Sequence, residues 1–170
     1  MSENLFNLLK VNFKMMSVFK NLCEIYLEHK TGNYLMANDV ADKIMLESKT
    51  IAVVGLSSKP YKAGYYVPEY LQQQGYKILP VNPKLESGLG EKAYPDLQSI
   101  PEPVDLVLIF QRSENVPPFV DDAIAIGAKA VWLQLGIVND TAVNKAKDAG
   151  LSAVQNACML VEHRRWINQT

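Results

Sequence analysis

Apolar residues in this chain follow two rhythms. Nearly unbroken runs lie near 51–54, 76–81, 104–110, 129–133 and 151–154, in "IAVV", "YKILPV", "VDLVLIF", "KAVWL" and "LSAV". Each is short, rich in β-branched residues, and apolar on both of its faces, as strands covered from both sides are. Between them the apolar positions recur every three or four residues, the helical period. Three of these helical stretches end in glycine followed at once by a strand: "YLQQQG" before "YKILPV", "AIAIG" before "AKAVWL", and "AKDAG" before "LSAV". Gly75, Gly127 and Gly150 therefore take the left-handed position that closes a helix. Five such strands alternating with helices predict a doubly wound α/β domain, a parallel five-stranded sheet with helices on both faces. A shorter helix, capped by Asn38 or Asp39 and ending about Glu47, leads into the first strand. The stretch 82–103, "NPKLESGLGEKAYPDLQSIPEP", is read as one long irregular loop, a length that points to function.

The first 37 residues have a different pattern. Asn7, Lys10, Lys14, Ser17, Asn21, Glu24 and Glu28 recur at alternating steps of three and four, a polar stripe on an otherwise apolar helix. Lys10, Lys14 and Lys20 break the apolar run, so it is read neither as a signal peptide nor as a membrane span. Residues 31–37, "TGNYLMA", form a connector. The division expected is an amphipathic helix and connector over 1–37 and a globular domain over 38–170, the helix serving to pair two copies as a homodimer or to engage another protein.

Composition narrows the function. Of 170 residues, 17 are Lys or Arg and 18 Asp or Glu, a formal net charge of −1 that carries no nucleic-acid footprint. Two cysteines are too few for a disulfide framework and fit a reducing cytoplasm. Cys158 and His163 stand five residues apart, but with no third group to orient them they are read as packing, and Glu162, Arg164 and Arg165 as a surface cluster. No metal cluster is expected.

In an open parallel sheet the ligand lies beyond the carboxyl ends of the strands, where the strand order reverses. After the first strand comes "GLSSKPYKAGYY". Gly55 makes the turn with Leu56, Ser57 and Ser58 offer hydroxyls, Lys59, Tyr61 and Lys62 follow, and a helix begins near Ala63 to Tyr65 with its amide groups facing an incoming anion. The second strand ends at Val81-Asn82-Pro83-Lys84. A site for a bare ribose diol places an acid there; Lys84 has donors and charge but no acceptor, and so suits a phosphorylated ribose. Coenzyme A and NADP both carry one. The third strand delivers Phe110, a surface for a purine, and Arg112, a fork for pyrophosphate, ahead of Val116-Pro117. The fourth delivers Gln134 and Asn139 as polar groups at the cleft mouth, with Gly136 allowing close backbone approach.

Five ordered blocks, "KTIAVVGLSSKP", "GYKILPVNPK", "LGEKAYPDLQSIPEPVDLV", "AIAIGAKAVWLQLGIVN" and "EHRR", resemble the small stand-alone CoA-binding proteins, similar in turn to the CoA-binding domain of the succinyl-CoA synthetase α subunit. The resemblance runs from about Asn38 to Trp166. It implies a Rossmann-like fold holding coenzyme A across Gly55 to Lys62, Val81 to Lys84, Tyr94, and the turn from Phe110 to Pro117. Two departures stand out: Lys62-Ala63-Gly64 where relatives often carry Arg-Pro-Ser, and Gln111 where a second Arg is common. The synthetase's phosphohistidine and grasp domains have no counterpart here, so the resemblance implies non-catalytic or accessory binding of coenzyme A or an acyl-CoA. Two other functions stay open. An NADP-dependent oxidoreductase would draw its proton donor from His163, Tyr61 or Tyr65; a nucleotide-sensing regulatory module would use the N-terminal helix as its coupling element.

Overall fold

A computed structural model describes residues 37–169. The expected N-terminal amphipathic helix and its dimer role lie outside the described residues. The described elements are α1 (Ala37–Glu47), β1 (Thr50–Val54), α2 (Ala63–Gln73), β2 (Lys77–Val81), β3 (Ser87–Gly88), β4 (Glu91–Lys92), β5 (Leu106–Ile109), a 3-10 turn (Ser113–Asn115), α3 (Val116–Ala125), β6 (Ala130–Leu133), α4 (Asp140–Asp148), β7 (Ser152–Val154) and α5 (Met159–Ile167). Five parallel strands form one sheet in the order β2-β1-β5-β6-β7. The chain steps from β1 outward to β2, returns to β5 on the other side of β1, and then proceeds in one direction. The order reverses between β1 and β5, so a ligand crevice belongs over those two strand ends.

The sheet is buried on both faces, as the unbroken apolar strands require. Alternate residues of each strand point to opposite sides and build two separate cores. One holds Ala52, Val54, Val107, Ile109, Val131 and Leu133 against α3 and α4. The other holds Ile51, Val53, Ile78, Leu108 and Trp132 against α1, α2 and α5. The fully buried Trp132 spends its one donor on the carbonyl of Ala157 at 2.8 Å, so its burial leaves no polar group unpaired. At the amino ends of the strands, the Asp105 carboxylate accepts from the amides of Lys49 and Thr50 at 2.9 and 3.0 Å and pairs with Lys129 at 2.7 Å, locking β5 to the start of β1.

Two sequence expectations need correction. Asn38 and Asp39 lie inside α1, which already includes Ala37, a strong helix former; neither stands before the helix as a cap. The stretch 82–103 is not irregular throughout. It contains an antiparallel ribbon of β3 and β4 joined by Leu89 and Gly90, both at positive φ (53° and 80°), the dihedral signature of a tight primed hairpin turn. Tyr94 then returns to the sheet edge, bridging Val81.

Candidate functional site

The carboxyl edge is assembled around glycine. Gly55 leaves β1 at φ +84°, and a Cβ there would stand 2.6 Å from the Phe110 carbonyl oxygen. Only a residue without a side chain lets the β1 and β5 exits pass so closely. Gly64, in the first turn of α2, is a second contact of this kind: its Cβ would stand 3.0 Å from the Gly55 carbonyl. The Ser57 amide donates to the Gly64 carbonyl at 2.9 Å, and the Ser57 hydroxyl accepts from the Lys59 amide at 3.1 Å. The turn 55–62 is thus folded tightly onto the start of α2, with Ser58, Lys59, Tyr61 and Lys62 exposed at its rim, Tyr61 to 74%.

The helix starts along this edge differ in how their amides are satisfied. At α4 the Asn139 side chain accepts from the Ala142 amide at 2.9 Å, and at α5 the Gln134 side chain accepts from the Met159 amide at 3.2 Å. At α2 and α3 no side chain caps the first turn. These two starts follow β1 and β5, the pair of strands where the order reverses, but only α2 has amides to offer, those of Ala63 and Gly64. In the first turn of α3, Pro117 and Pro118 have no N–H and the Val116 amide donates to the Ser113 carbonyl, so α3 contributes the positive end of its dipole alone.

The charges agree. Lys59, Lys62, Lys84 and Arg112 are exposed at the carboxyl edge and form no ion pair among the described residues. Lys77, Lys129, Lys145 and Arg165, all elsewhere, are each matched to a carboxylate. Lys84 sits just past β2, its backbone amide held at 2.9 Å by the Asn82 side chain and its ammonium left to solvent. Tyr94, half-buried beside this turn, has Lys92 5.6 Å from its ring centre.

Several residues singled out from the sequence do other work. Leu56, Val81 and Val116 are buried, so their side chains belong to the cores, and only their backbone groups face the crevice. Gln134, also buried, is not at the cleft mouth; it donates to the Cys158 thiol at 3.3 Å while capping α5. Asn139 is likewise a helix cap, and its side-chain Nδ2 donates to the Ser113 carbonyl at 2.9 Å. Gly136 has a φ of +83°, the left-handed conformation that favours glycine, and a Cβ there would meet no protein atom within 4 Å. Arg165 pairs with Asp42 and Glu162, and Arg164 lies 5.1 Å from the Tyr70 ring centre, so the "EHRR" block is a packing seam and not a free basic cluster. His163 is buried among the rings of Tyr70, Tyr76 and Trp166 and shares a 3.1 Å hydrogen bond between its Nδ1 and the Tyr70 hydroxyl. Burial holds its pKa below the ordinary histidine value, and burial with the nearby Tyr70 pushes Tyr76 up to about 12. Cys158 and His163 therefore have separate partners. The sequence reading missed Gly64, whose recurrence nine residues after Gly55 at a strand-to-helix turn was the available signal.

A Rossmann-like sheet with an anion-seeking edge at its reversal point defines a nucleotide-binding class of protein. The chain belongs to the CoA binding domain family, whose model matches residues 49–164. It is 38% identical over 121 residues to the uncharacterized protein YneT of Bacillus subtilis, covering 71% of this chain and 90% of YneT. It is 47% identical over 82 residues to the ADP-forming acetate–CoA ligase II subunit alpha of Pyrococcus furiosus, but that match covers 48% of this chain and only 18% of the subunit. Among solved structures, a hypothetical protein from Pyrococcus horikoshii superposes with a TM-score of 0.74 at 41% identity, covering 78% of this chain and 93% of that one. A Thermus thermophilus protein does so with a TM-score of 0.72 at 36% identity, covering 77% and 99%.

Proposed function

We propose that this protein binds coenzyme A, free or acylated, without covalent chemistry of its own. The observation that carries the reading is Lys84: an exposed ammonium at the end of β2 with no carboxylate partner among the described residues, where a diol-binding site would place an acid. In this reading the 3′-phosphate of the ribose meets Lys84 and the adenine rests on Pro83. The pyrophosphate meets the uncapped start of α2 with Ser57, Ser58, Lys59 and Lys62, and Arg112 closes over it. The pantetheine arm passes Phe110 and the Val116-Pro117 backbone toward Gly136. The family membership and the ligase relatives support the ligand class. Support for a role without covalent chemistry comes from Cys158 and His163, which are engaged with Gln134 and Tyr70 and present no activated nucleophile.

NADP carries its extra phosphate on the ribose 2′ position, so direct competition separates the two ligands. Equilibrium titration of the full chain with coenzyme A and with NADP is expected to give binding to the first and at least tenfold weaker binding to the second, a difference of about 1.4 kcal/mol. Tighter binding of NADP overturns the reading.

A further inference from the structure

The crevice just described is held together by one side chain that faces the protein and not the ligand. Asn82 donates from Nδ2 to the Leu56 carbonyl at 2.8 Å and accepts at Oδ1 from the Lys84 amide at 2.9 Å. Its own backbone amide donates to the Tyr94 carbonyl at 2.9 Å, and its carbonyl accepts from Leu85 at 3.1 Å. Leu56 directly precedes the Ser57-Ser58 turn at the start of α2. One amide group therefore spans the gap between the two anion-holding loops, and the next residue, Pro83, has a fixed φ that transmits the placement to Lys84.

An asparagine whose Oδ1 accepts from the amide two residues on is common turn chemistry. The bond from Nδ2 to Leu56, 26 positions earlier in the chain, is not local and is not needed to make that turn. It fixes the separation between the loop after β1 and the lysine after β2. A nucleotide that carries both a ribose phosphate and a pyrophosphate presents two anionic groups at a set separation, and a rigid spacing between their receptors discriminates such a ligand from one lacking the ribose phosphate.

We propose that Asn82 is a specificity-determining positioning residue, the spacer that lets Lys84 and the start of α2 engage one phosphorylated nucleotide together. The inference rests on the coenzyme A reading of the same crevice and adds to it how the extra phosphate is selected. Two variants separate its two side-chain bonds. Asn82→Ala removes both. Asn82→Ser keeps a hydroxyl able to accept from the Lys84 amide but too short to reach Leu56.

The test is calorimetric titration of wild type, N82A and N82S with coenzyme A and with 3′-dephospho-coenzyme A, alongside thermal melts of each protein. Wild type is expected to prefer coenzyme A. Both variants are expected to lose roughly five- to tenfold in affinity for coenzyme A while changing less than about twofold toward the dephospho form, in line with the loss of one or two hydrogen-bonded restraints. Equal losses for both ligands, an undiminished preference in both variants, or collapse of both variants in the melts would each show a purely structural asparagine and overturn the proposal. Wild-type protein that binds neither ligand would instead sink the coenzyme reading itself, and this inference with it.

Discussion

Lys84 and His163 show how differently a cationic side chain can be treated by one fold. Lys84 is left to solvent with its charge uncompensated among the described residues; His163 is enclosed by three aromatic rings whose centroids lie 5.5 to 5.6 Å away. Burial disfavours the charged imidazolium, which lowers the folded-state pKa of His163 below its ordinary value of 6.5. With the folded pKa depressed, the unfolded chain takes up the proton first as pH falls. The contribution of this site to stability is therefore complete above pH 6.5 and is lost progressively below it. Urea unfolding at a series of pH values from about 8 down to about 5, the span in which histidine changes charge, is expected to show stability falling through the lower part of the series, and His163→Phe is expected to flatten that fall. An unaltered slope in the variant would show that other groups cause it. The chemistry of His163 was only half legible in advance. The sequence identifies a titratable group, but whether its partner is Cys158 or Tyr70 depends on α2 and α5 meeting across the sheet face, which spacing along the chain does not encode.

At the level of elements, the strands were readable because both-faced burial leaves a plain mark, and each of the five lies within two residues of its expected limits. The β3-β4 ribbon was not readable. Two-residue strands have no periodicity, and its turn carries Leu89 at φ 53° where Asn or Asp would announce a primed turn. Helix caps were misassigned for a related reason: Gln134 and Asn139 follow a strand at the ligand end, so their positions suggested a cleft, whereas their acceptors are already spent on the amides of α5 and α4. The close approach at Gly55 leads to a graded prediction. Gly75 and Gly55 both have positive φ, but a Cβ at Gly75 meets open space while one at Gly55 strikes the Phe110 carbonyl. Gly75→Ala is expected to cost about 1 to 2 kcal/mol, the left-handed strain alone, and Gly55→Ala is expected to cost clearly more, above about 2 kcal/mol, because backbone must also move. Denaturant unfolding of the two variants checks this; equal costs would mean that the β1 and β5 exits separate freely.

For the molecule as a whole, a formal net charge of −1 conceals a local asymmetry. Lys59, Lys62, Lys84 and Arg112 gather without ion-pair partners at one edge of the sheet; elsewhere Lys77, Lys129, Lys145 and Arg165 are compensated by Glu102, Asp105, Asp121 and Asp42. Other cations that form no ion pair among the described residues, such as Lys43, Lys49 and Lys147, lie on α1, just before β1 and on α4, and do not share that edge. Composition could not show this, because it counts charges without placing them; the topology places them by bringing the β1, β2 and β5 exits together. A polyanionic ligand drawn to such an edge is screened by salt, so affinity for coenzyme A is expected to weaken steadily as ionic strength rises from about 0.01 to about 1 M. Salt-independent binding, measured by titration over that range, would assign recognition to apolar contacts. Among the described residues no helix is long and apolar enough to cross a membrane.

The most direct measurement pairs one atom group of the protein with one of the ligand. Wild type and Lys84→Ala are each titrated with coenzyme A and with 3′-dephospho-coenzyme A. If the ammonium after β2 receives the ribose phosphate, the substitution costs about 1.5 to 3 kcal/mol toward coenzyme A and close to nothing toward the dephospho form. A loss of the same size for both ligands, or for neither, would contradict the account.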